Sequence, residues 1–258
     1  MEYKDFAREI YIITGINLMS YKEKQMKRRI DQLIANKGFY GYDKFIQVLK
    51  NNNELYNEFL SYITINVSYF YRDHKQWEVL EYNILPEVIK RDNKIRSWCC
   101  ACSSGEEVYT LAFILNRYIS NDRIEIIGSD VDKKSIDKAK KGIFTKKNLE
   151  SLPKVLFYNF FEEKKGEYIV TDEIRNCISF EIIDLLNLEY PQNFDFIICR
   201  NVMIYFLEEA KKDIYINLNR SLKENGILFM GNSEQILSHE RYNFEMISNG
   251  FYKKTGEI

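Results

Sequence analysis

Apolar residues in the first sixty positions recur at intervals of three and four, the spacing that gathers them on one face of an α-helix. Phe6, Ile10 and Ile13 form one such series, and residues 26–34 and 45–49 carry two more. We therefore predict that the chain begins with a group of short helices.

The pattern changes after residue 94, where short apolar runs alternate with segments of helical periodicity. Strands that alternate with helices indicate a parallel sheet with helices on its faces. The sequence therefore predicts an α/β fold for this part. The predicted strands are 98–101, 124–128, 194–199 and 227–230, and the predicted helices are 108–115, 133–141 and 208–222.

Residues 142–180 interrupt this alternation, because two to six residues normally connect a helix with the next strand of an α/β unit. Residues 168–171 and 177–180 are strand-like. We predict that they form a small antiparallel insert with an exposed edge at 168–171. The main sheet is expected to resume at 182–184.

Two Asn-Gly pairs mark turns near the end of the chain. Asn225-Gly226 is predicted to end the helix that precedes it. Asn249-Gly250 separates the strand-like runs 244–247 and 250–253, which is a strong signal for a two-residue hairpin. The parallel sheet is therefore expected to end in an antiparallel hairpin.

The composition argues against several classes of protein, among them nucleic-acid binders, disulfide-rich proteins and membrane proteins. The chain of 258 residues has a formal net charge of −1, which argues against a general nucleic-acid binder. The five cysteines are odd in number and lie mostly in predicted strands, which indicates reduced thiols rather than disulfides or a metal site. Because no membrane-length apolar run appears, we expect a cytoplasmic monomer without membrane insertion, metal or nucleic acid.

The turn after the first predicted strand carries the most informative chemistry. It runs through Ser103, Ser104 and Gly105 into a helix that starts with Glu106 and Glu107. Both Ser-x-x-Glu pairs fit a capping box, and capping alone is commoner than ligand binding. A phosphate site, however, uses several glycines and bare N–H groups at a helix start. Two carboxylates there favour a ligand with positive charge, such as S-adenosylmethionine.

Polar residues also follow the other predicted strands. In open α/β sheets, ligands bind beyond the carboxyl ends of the strands. Asp130 stands one strand–helix step after the first turn, where an acid accepts both hydroxyls of a ribose. Asp184 is placed to accept from an adenine amine, with Leu185 against the ring. Each acid alone is more commonly a helix cap, whereas together they favour an adenosine site.

Five runs of residues resemble the CheR family, the chemotaxis receptor methyltransferases. The resemblance extends from about residue 60 to the end, and the helical N-terminal part resembles the family's small domain. The runs are NVSYFYRD (66–73), SSGEEVY (103–109), GSDVD (128–132), CRNVMIYF (199–206) and LFMGNSE (228–234).

The resemblance implies a Rossmann-like class I methyltransferase sheet with a terminal antiparallel hairpin, a small antiparallel β insert and a small all-α N-terminal domain. We expect a receptor-recognition domain at 1–72 and a catalytic domain at 73–258, with the insert at about 142–180. The implied reaction transfers a methyl group from S-adenosylmethionine to receptor glutamate side chains. Its products are glutamate methyl esters, used in sensory adaptation, and S-adenosylhomocysteine.

The family pattern also implies roles for single residues. Arg72 and Tyr205 are candidates for positioning the reacting groups, and Lys27, Arg28 and Arg29 for receptor binding. Position 68 is Ser where the family often has Thr, and position 184 is Asp where Asn is common. The implied cofactor contacts are Asn66, Ser68, Arg72, Glu106, Glu107, Asp130, Asp184, Leu185, Arg200 and Asn201.

The implied partner is the cytoplasmic domain of a methyl-accepting chemotaxis receptor. In some family members the insert docks a C-terminal peptide of the receptor. The loop 162–167 is short here and has a single glycine, so we expect methylation without such a tether. Two alternatives stay open: a methyltransferase for a small molecule or nucleic acid, and a non-catalytic S-adenosylmethionine-binding scaffold.

Overall fold

A computed structural model describes residues 1–64, 66–187 and 189–258. The chain begins with a helical region whose apolar faces meet in one core. Phe6, Ile30, Phe45 and Phe59 are completely buried there. The predicted group of short helices is confirmed. Its helices are α1 (Tyr3–Thr14), α2 (Glu23–Asn36), α3 (Tyr42–Leu49) and α4 (Asn53–Ile63).

The rest of the chain forms a sheet flanked by helices. A loop at 66–73 leads into α5 (His74–Val79), a π-helical segment (Leu80–Ile84) and α6 (Leu85–Arg91). The further helices are α7 (Glu106–Asn116), α8 (Lys133–Lys141), α9 (Lys154–Phe160), α10 (Asp172–Arg175) and α11 (Glu208–Ser221). The strands are β1 (Ile95–Cys100), β2 (Ile124–Asp130), β3 (Ile143–Phe144), β4 (Phe161–Lys164), β5 (Glu167–Val170), β6 (Ile178–Ile182), β7 (Phe194–Cys199), β8 (Leu222–Met230), β9 (Phe244–Ser248) and β10 (Phe251–Lys254).

The main sheet has seven strands in the order β6-β2-β1-β7-β8-β10-β9. The first five are parallel, while β10 and β9 pair antiparallel at the end. Successive residues of β7 enter the cores on opposite faces of the sheet, with Phe196 and Ile198 on one face and Ile197 and Cys199 on the other. The α/β sheet and its terminal hairpin are therefore confirmed.

The small sheet is antiparallel in the order β3-β5-β4. Our assignment of residues 177–180 to this insert is wrong, because β6 pairs in parallel with β2 in the main sheet. The strand β6 lies at an edge of that sheet and exposes many of its side chains. Its sequence therefore resembles a half-exposed antiparallel strand. The expected free edge at 168–171 is also wrong, since β5 is the central strand of the small sheet.

The first Asn-Gly pair has a different role from the one predicted. The helix α11 ends at Ser221, and Asn225-Gly226 lies inside β8. The pairing of β7 with β8 shifts register at this point, and Asn225 has a φ of 60°. The pair therefore forms an irregularity in the strand rather than a helix stop. No helix within the described ranges is long and apolar enough to cross a membrane.

Candidate active site

A cleft opens at the carboxyl ends of the parallel strands, with the helical region forming its opposite wall. Its lining includes every expected cofactor residue except Glu106. Ser103, in the turn after β1, and Phe206, in the run 199–206, also line it, as does Tyr21, which the sequence did not single out. The expected residues in the lining are Asn66, Ser68, Arg72, Glu107, Asp130, Asp184, Leu185, Arg200, Asn201 and Tyr205.

The turn after β1 is held by its backbone and not by the predicted capping boxes. Gly105 is the N-cap of α7, with a φ of 92° and no side-chain cap. A side chain at this position would place its Cβ 3.1 Å from the Cβ of Ala139, so the turn needs glycine. The Ser104 hydroxyl donates to Glu106 at 2.9 Å. Burial raises the pKa of Glu106, and hydrogen bonds from Ser104 and Ser68 to its carboxylate oppose this shift.

The carboxylate of Asp130 joins the turns that follow β1 and β2. Its carboxylate accepts the Ser103 N–H at 2.8 Å and the Asp132 N–H at 2.9 Å, one on each oxygen. Burial raises the pKa of Asp130 to about 6, although these backbone hydrogen bonds oppose the shift. Each carboxylate oxygen has a further lone pair, so Asp130 can still accept two hydroxyl groups.

Asn66 is tied to the adjoining turn. Its side-chain amide donates to Asp132 at 2.6 Å. Asp132 also caps α8 by accepting the Lys134 N–H at 3.0 Å. The loop at 66–73, which follows the helical region, is thereby attached to the end of β2.

The guanidinium of Arg200 forms most of its hydrogen bonds within the chain. Its guanidinium donates to Glu107, to Asp73 at 2.8 Å and to the side chain of Gln76 at 3.1 Å. It also lies 4.8 Å from the centre of the Phe229 ring. Burial raises the pKa of Glu107, and the charge of Arg200 opposes that shift. The Arg200 side chain therefore joins three parts of the chain beneath the cleft.

Arg72 and Tyr205 both line the cleft, as expected for positioning residues. Arg72 makes one long hydrogen bond, to the Val67 carbonyl at 3.3 Å. Tyr71 and Asp73 on either side of it have φ values of 55° and 57°. Burial raises the pKa of Tyr205, and the positive charges of Arg29 and Arg72 oppose this. Arg72 therefore has most of its side-chain donors left for a ligand, whereas the two terminal nitrogens of Arg200 are bonded within the chain.

Asp184 follows β6 at the side of the cleft. It accepts the Leu186 N–H at 2.9 Å, and burial raises its pKa. Leu185 is buried beside it. The two residues present an acceptor next to an apolar surface, which suits a heteroaromatic ring with an amine.

Glu234 is a buried acid that sequence reasoning did not assign to the site. Its carboxylate accepts backbone N–H groups from Asn201, from Ile204 at 3.3 Å and from Gly231 at 3.2 Å. It therefore fixes the loop that carries Tyr205. Glu234 is the last residue of the run 228–234, which resembles the CheR family, but the contacts of its carboxylate are known only from the structure.

Three polar atoms of the cleft residues have unused hydrogen-bonding capacity. Within the described part of the chain, Ser103 Oγ, Asn201 Oδ1 and Arg200 Nε are buried without a hydrogen-bond partner. Seven other buried polar atoms of the described residues also lack a partner, so these three are informative because they belong to residues that line one cleft. Two donors and one acceptor beside several carboxylates fit the amino acid and nucleoside parts of S-adenosylmethionine.

The basic residues of α2 lie outside the cleft lining. Lys27 pairs with Asp31 at 2.6 Å, while Arg29 donates to the Tyr62 carbonyl and lies 4.9 Å from the centre of its ring. Arg28 is exposed. No cluster of three or more potential metal ligands occurs among residues 1–64, 66–187 and 189–258.

A parallel sheet with a terminal antiparallel hairpin and acids at its strand ends is the arrangement expected of an S-adenosylmethionine-dependent methyltransferase. Family comparison agrees with this class. Residues 66–252 match the CheR methyltransferase, SAM binding domain, and residues 1–64 match the CheR methyltransferase, all-alpha domain. The chain belongs to the CheR methyltransferase family.

Its relatives include the chemotaxis protein methyltransferases of Listeria monocytogenes and Listeria innocua. Each is 38% identical over 98% of this chain and 97% of the relative. The chemotaxis protein methyltransferase of Borreliella burgdorferi is 31% identical over 98% of this chain and 94% of the relative. The similarity therefore spans both the helical region and the sheet.

Proposed function

We propose that this enzyme transfers the methyl group of S-adenosylmethionine to glutamate side chains in the cytoplasmic domain of a chemotaxis receptor. The observation that carries the cofactor assignment is the unused polar atoms of residues that line the cleft together with the strand-end carboxylates. The names of the relatives support a receptor as substrate. The products are a glutamate methyl ester and S-adenosylhomocysteine.

The cleft residues divide between the two ends of the cofactor. Asp130 accepts the ribose hydroxyls, and Asp184 accepts the adenine amine beside Leu185. Glu107 and the residues after β7 face the amino acid end. The cofactor, when bound, supplies a methyl group on a positively charged sulfur. The carboxylates of the cleft favour that charge over an anionic ligand.

The receptor side chain needs no general base. A glutamate carboxylate is ionised at neutral pH and is already a nucleophile. Arg72 and Tyr205 hold the attacking carboxylate and the cofactor in line, and such alignment supplies roughly 7–11 kcal/mol of the barrier. Tyr205 and Phe206 restrict water at the reacting groups, which favours the transfer because opposite charges cancel in it.

The other aromatic residues of the motif 66–73 do not take part in this enclosure. Phe70 is completely buried and stacks on Phe113, while Tyr71 donates to the buried Glu81 at 3.2 Å. Tyr69 is about half exposed. Their density along the sequence reflects mainly the packing of the loop that presents Arg72.

Transfer of a tritiated methyl group to a receptor fragment tests this function. A base-labile product that releases methanol identifies a methyl ester, and loss of labelling after replacement of the receptor glutamates by alanine identifies the acceptor. Binding without transfer would indicate a scaffold, while a base-stable product would indicate another substrate. Calorimetry with NAD and ATP is the control, because neither anion suits a helix start that carries Glu106 and Glu107.

A further inference from the structure

The helical region does more than border the cleft. Tyr21, Ile63 and Thr64 all belong to it and line the cleft. Among these three residues, Tyr21 has the greatest capacity to contact a ligand, because it combines an aromatic ring with a hydroxyl group. It precedes α2 by two positions, whereas the sequence assigned this region to receptor recognition alone.

Tyr21 lines the cleft together with two acids, Asp130 and Asp184. Burial raises the pKa of Tyr21, and the negative charges of Asp184 and Asp130 add to this shift. The hydroxyl is therefore a neutral hydrogen-bond donor at physiological pH.

The backbone fixes the Tyr21 ring beside the loop that carries Tyr205. The Lys22 N–H donates to the Tyr205 carbonyl at 2.9 Å, and the Leu207 N–H donates to the Ser20 carbonyl at 2.9 Å. The Tyr21 ring lies 4.9 Å from that of Phe206, centre to centre. The backbone on both sides of Tyr21 is therefore joined to the loop that carries Tyr205, and the ring packs on Phe206.

We infer that Tyr21 is a further positioning residue of the enzyme, contributed by the helical region, which donates its hydroxyl to the adenosine part of the cofactor. This inference rests on the proposed function, since it uses the assignment of Asp130 and Asp184 to adenosine. A single residue then belongs both to the cofactor cleft and to the segment that leads into α2. The helical region is thus part of the cofactor site as well as of the receptor surface.

Calorimetric titration of Tyr21→Phe and Tyr21→Ala with S-adenosylmethionine and S-adenosylhomocysteine tests this assignment. Loss of the hydroxyl should raise Kd by about three- to tenfold, the range expected for one hydrogen bond. Tyr21→Ala should raise Kd further, because the ring packing on Phe206 is also lost. The two ligands share the adenosine part, so each variant should weaken them by the same factor.

The matched control is Tyr40→Phe with Tyr40→Ala, since Tyr40 is 89% exposed in the same helical region. These variants should bind both ligands like the wild type. Wild-type affinity of Tyr21→Phe would overturn the inference, whatever the affinity of Tyr21→Ala, and would leave the proposed function intact. A loss confined to S-adenosylmethionine would also overturn it, because that result places Tyr21 at the sulfonium. If the wild type binds neither ligand, the proposed function itself fails.

Discussion

Five residues next to the cleft have backbone conformations that non-glycine residues rarely adopt. Their φ values lie between 49° and 61°. Such conformations cost on the order of 1–3 kcal/mol each and cluster at functional sites. They occur in three loops, which precede α5 and follow β1 and β7, so the strain coincides with the lining of the cleft. The residues are Tyr71, Asp73, Ala101, Ser103 and Asn201.

Replacement of Asp130 should affect both binding and stability. In Asp130→Ala, the N–H groups of Ser103 and Asp132 lose their acceptor in a buried place, which costs about 1–3 kcal/mol for each. The ribose hydroxyls lose the same acceptor, so Kd for S-adenosylmethionine should rise at least about tenfold. Calorimetry and urea unfolding measure the two effects. Asp122→Ala, in a short helical turn ahead of β2, is the control, and equal behaviour of the two variants would contradict the role of Asp130.

The titration of Asp130 predicts opposite pH trends for stability and binding. Burial raises its pKa from 3.8 to about 6 in the folded chain. The stability that follows from this shift is fully present below about pH 4 and is lost as the pH rises through about 6. Cofactor affinity should instead increase through about pH 6, because the ionised carboxylate is the better acceptor. Calorimetry between pH 5 and 7 should show this increase in the wild type, and an equal increase in Asp130→Asn would refute the assignment.

Replacement of Arg200 should mainly lower the stability of the folded chain, whereas replacement of Arg72 should mainly lower the rate of methyl transfer. Arg200→Ala leaves Glu107 buried without its partner, which typically costs about 3–5 kcal/mol of stability. Arg72→Ala breaks one 3.3 Å hydrogen bond, so it should lower methyl transfer with little change in unfolding. Urea unfolding and initial rates measured on both variants test the contrast. Wild-type stability of Arg200→Ala would mean that its guanidinium is free for a ligand.

Sequence reasoning identified the strand-end acids because their chemistry depends on position along the chain. Asp130 and Asp184 each follow a strand, and the carboxyl ends of parallel strands meet at one edge of the sheet. Tyr21 and Glu234 were not identified as site residues. Their roles depend on contacts with loops far away in the sequence, and no local spacing encodes such contacts.

Helices and strands were predictable where burial imposes a regular pattern. The strand β7 is buried throughout and was predicted at its observed limits. The strand β6 was misassigned because an edge strand keeps exposed side chains. The pair Asn225-Gly226 favours a turn or a left-handed residue. The local sequence does not reveal that the pair lies inside β8, where the pairing with β7 shifts register.

The exposed face of α2 is the part of that helix available to a receptor. Lys24 and Arg28 are exposed and one helical turn apart, whereas Lys27 and Arg29 have partners within the chain. Reversal of Lys24 and Arg28 to glutamate should raise KM for a receptor fragment on the order of tenfold at low salt. Cofactor Kd should not change, as calorimetry would show.

A matched reversal of Lys4 and Lys44 provides the control for this prediction. Both are exposed, on α1 and α3, and their replacement by glutamate changes the net charge equally. Only the α2 variant should lose the salt dependence of KM. If both pairs act alike, net charge and not the face of α2 determines the affinity.

In the whole molecule, the helical region and the sheet share contacts around the cleft. Asn66 joins Asp132 at 2.6 Å, and Val131 packs against the core of the helical region. Tyr21 forms an isolated antiparallel bridge with Phe206. The proposed receptor surface on α2 and the proposed cofactor cleft therefore belong to one connected structure.

The insert is the part of the chain for which the family resemblance raises the question of a second receptor contact. Its central strand β5 is paired on both sides, so the free edges of the small sheet belong to β3 and β4. The strand β3 has two residues, and β4 carries Glu162 and Glu163. A peptide that adds a strand to a sheet needs an open edge and pockets beside it. The edge strand β3 is too short to pair with a peptide over several residues, and the carboxylates of β4 would not attract an acidic receptor tail.

We therefore predict that methylation does not require a tethering peptide at the receptor's C-terminus. The turn between β4 and β5 is tight, with Lys165 and Gly166 at φ values of 54° and 81°. Initial rates on one receptor fragment should be the same with and without its last residues, because α2 and the cleft supply the contacts. Deletion of an equal number of residues at the fragment's other end controls for its folding. A large drop confined to the C-terminal truncation would show that the insert docks the tail, and Glu162→Lys with Glu163→Lys would then strengthen that docking.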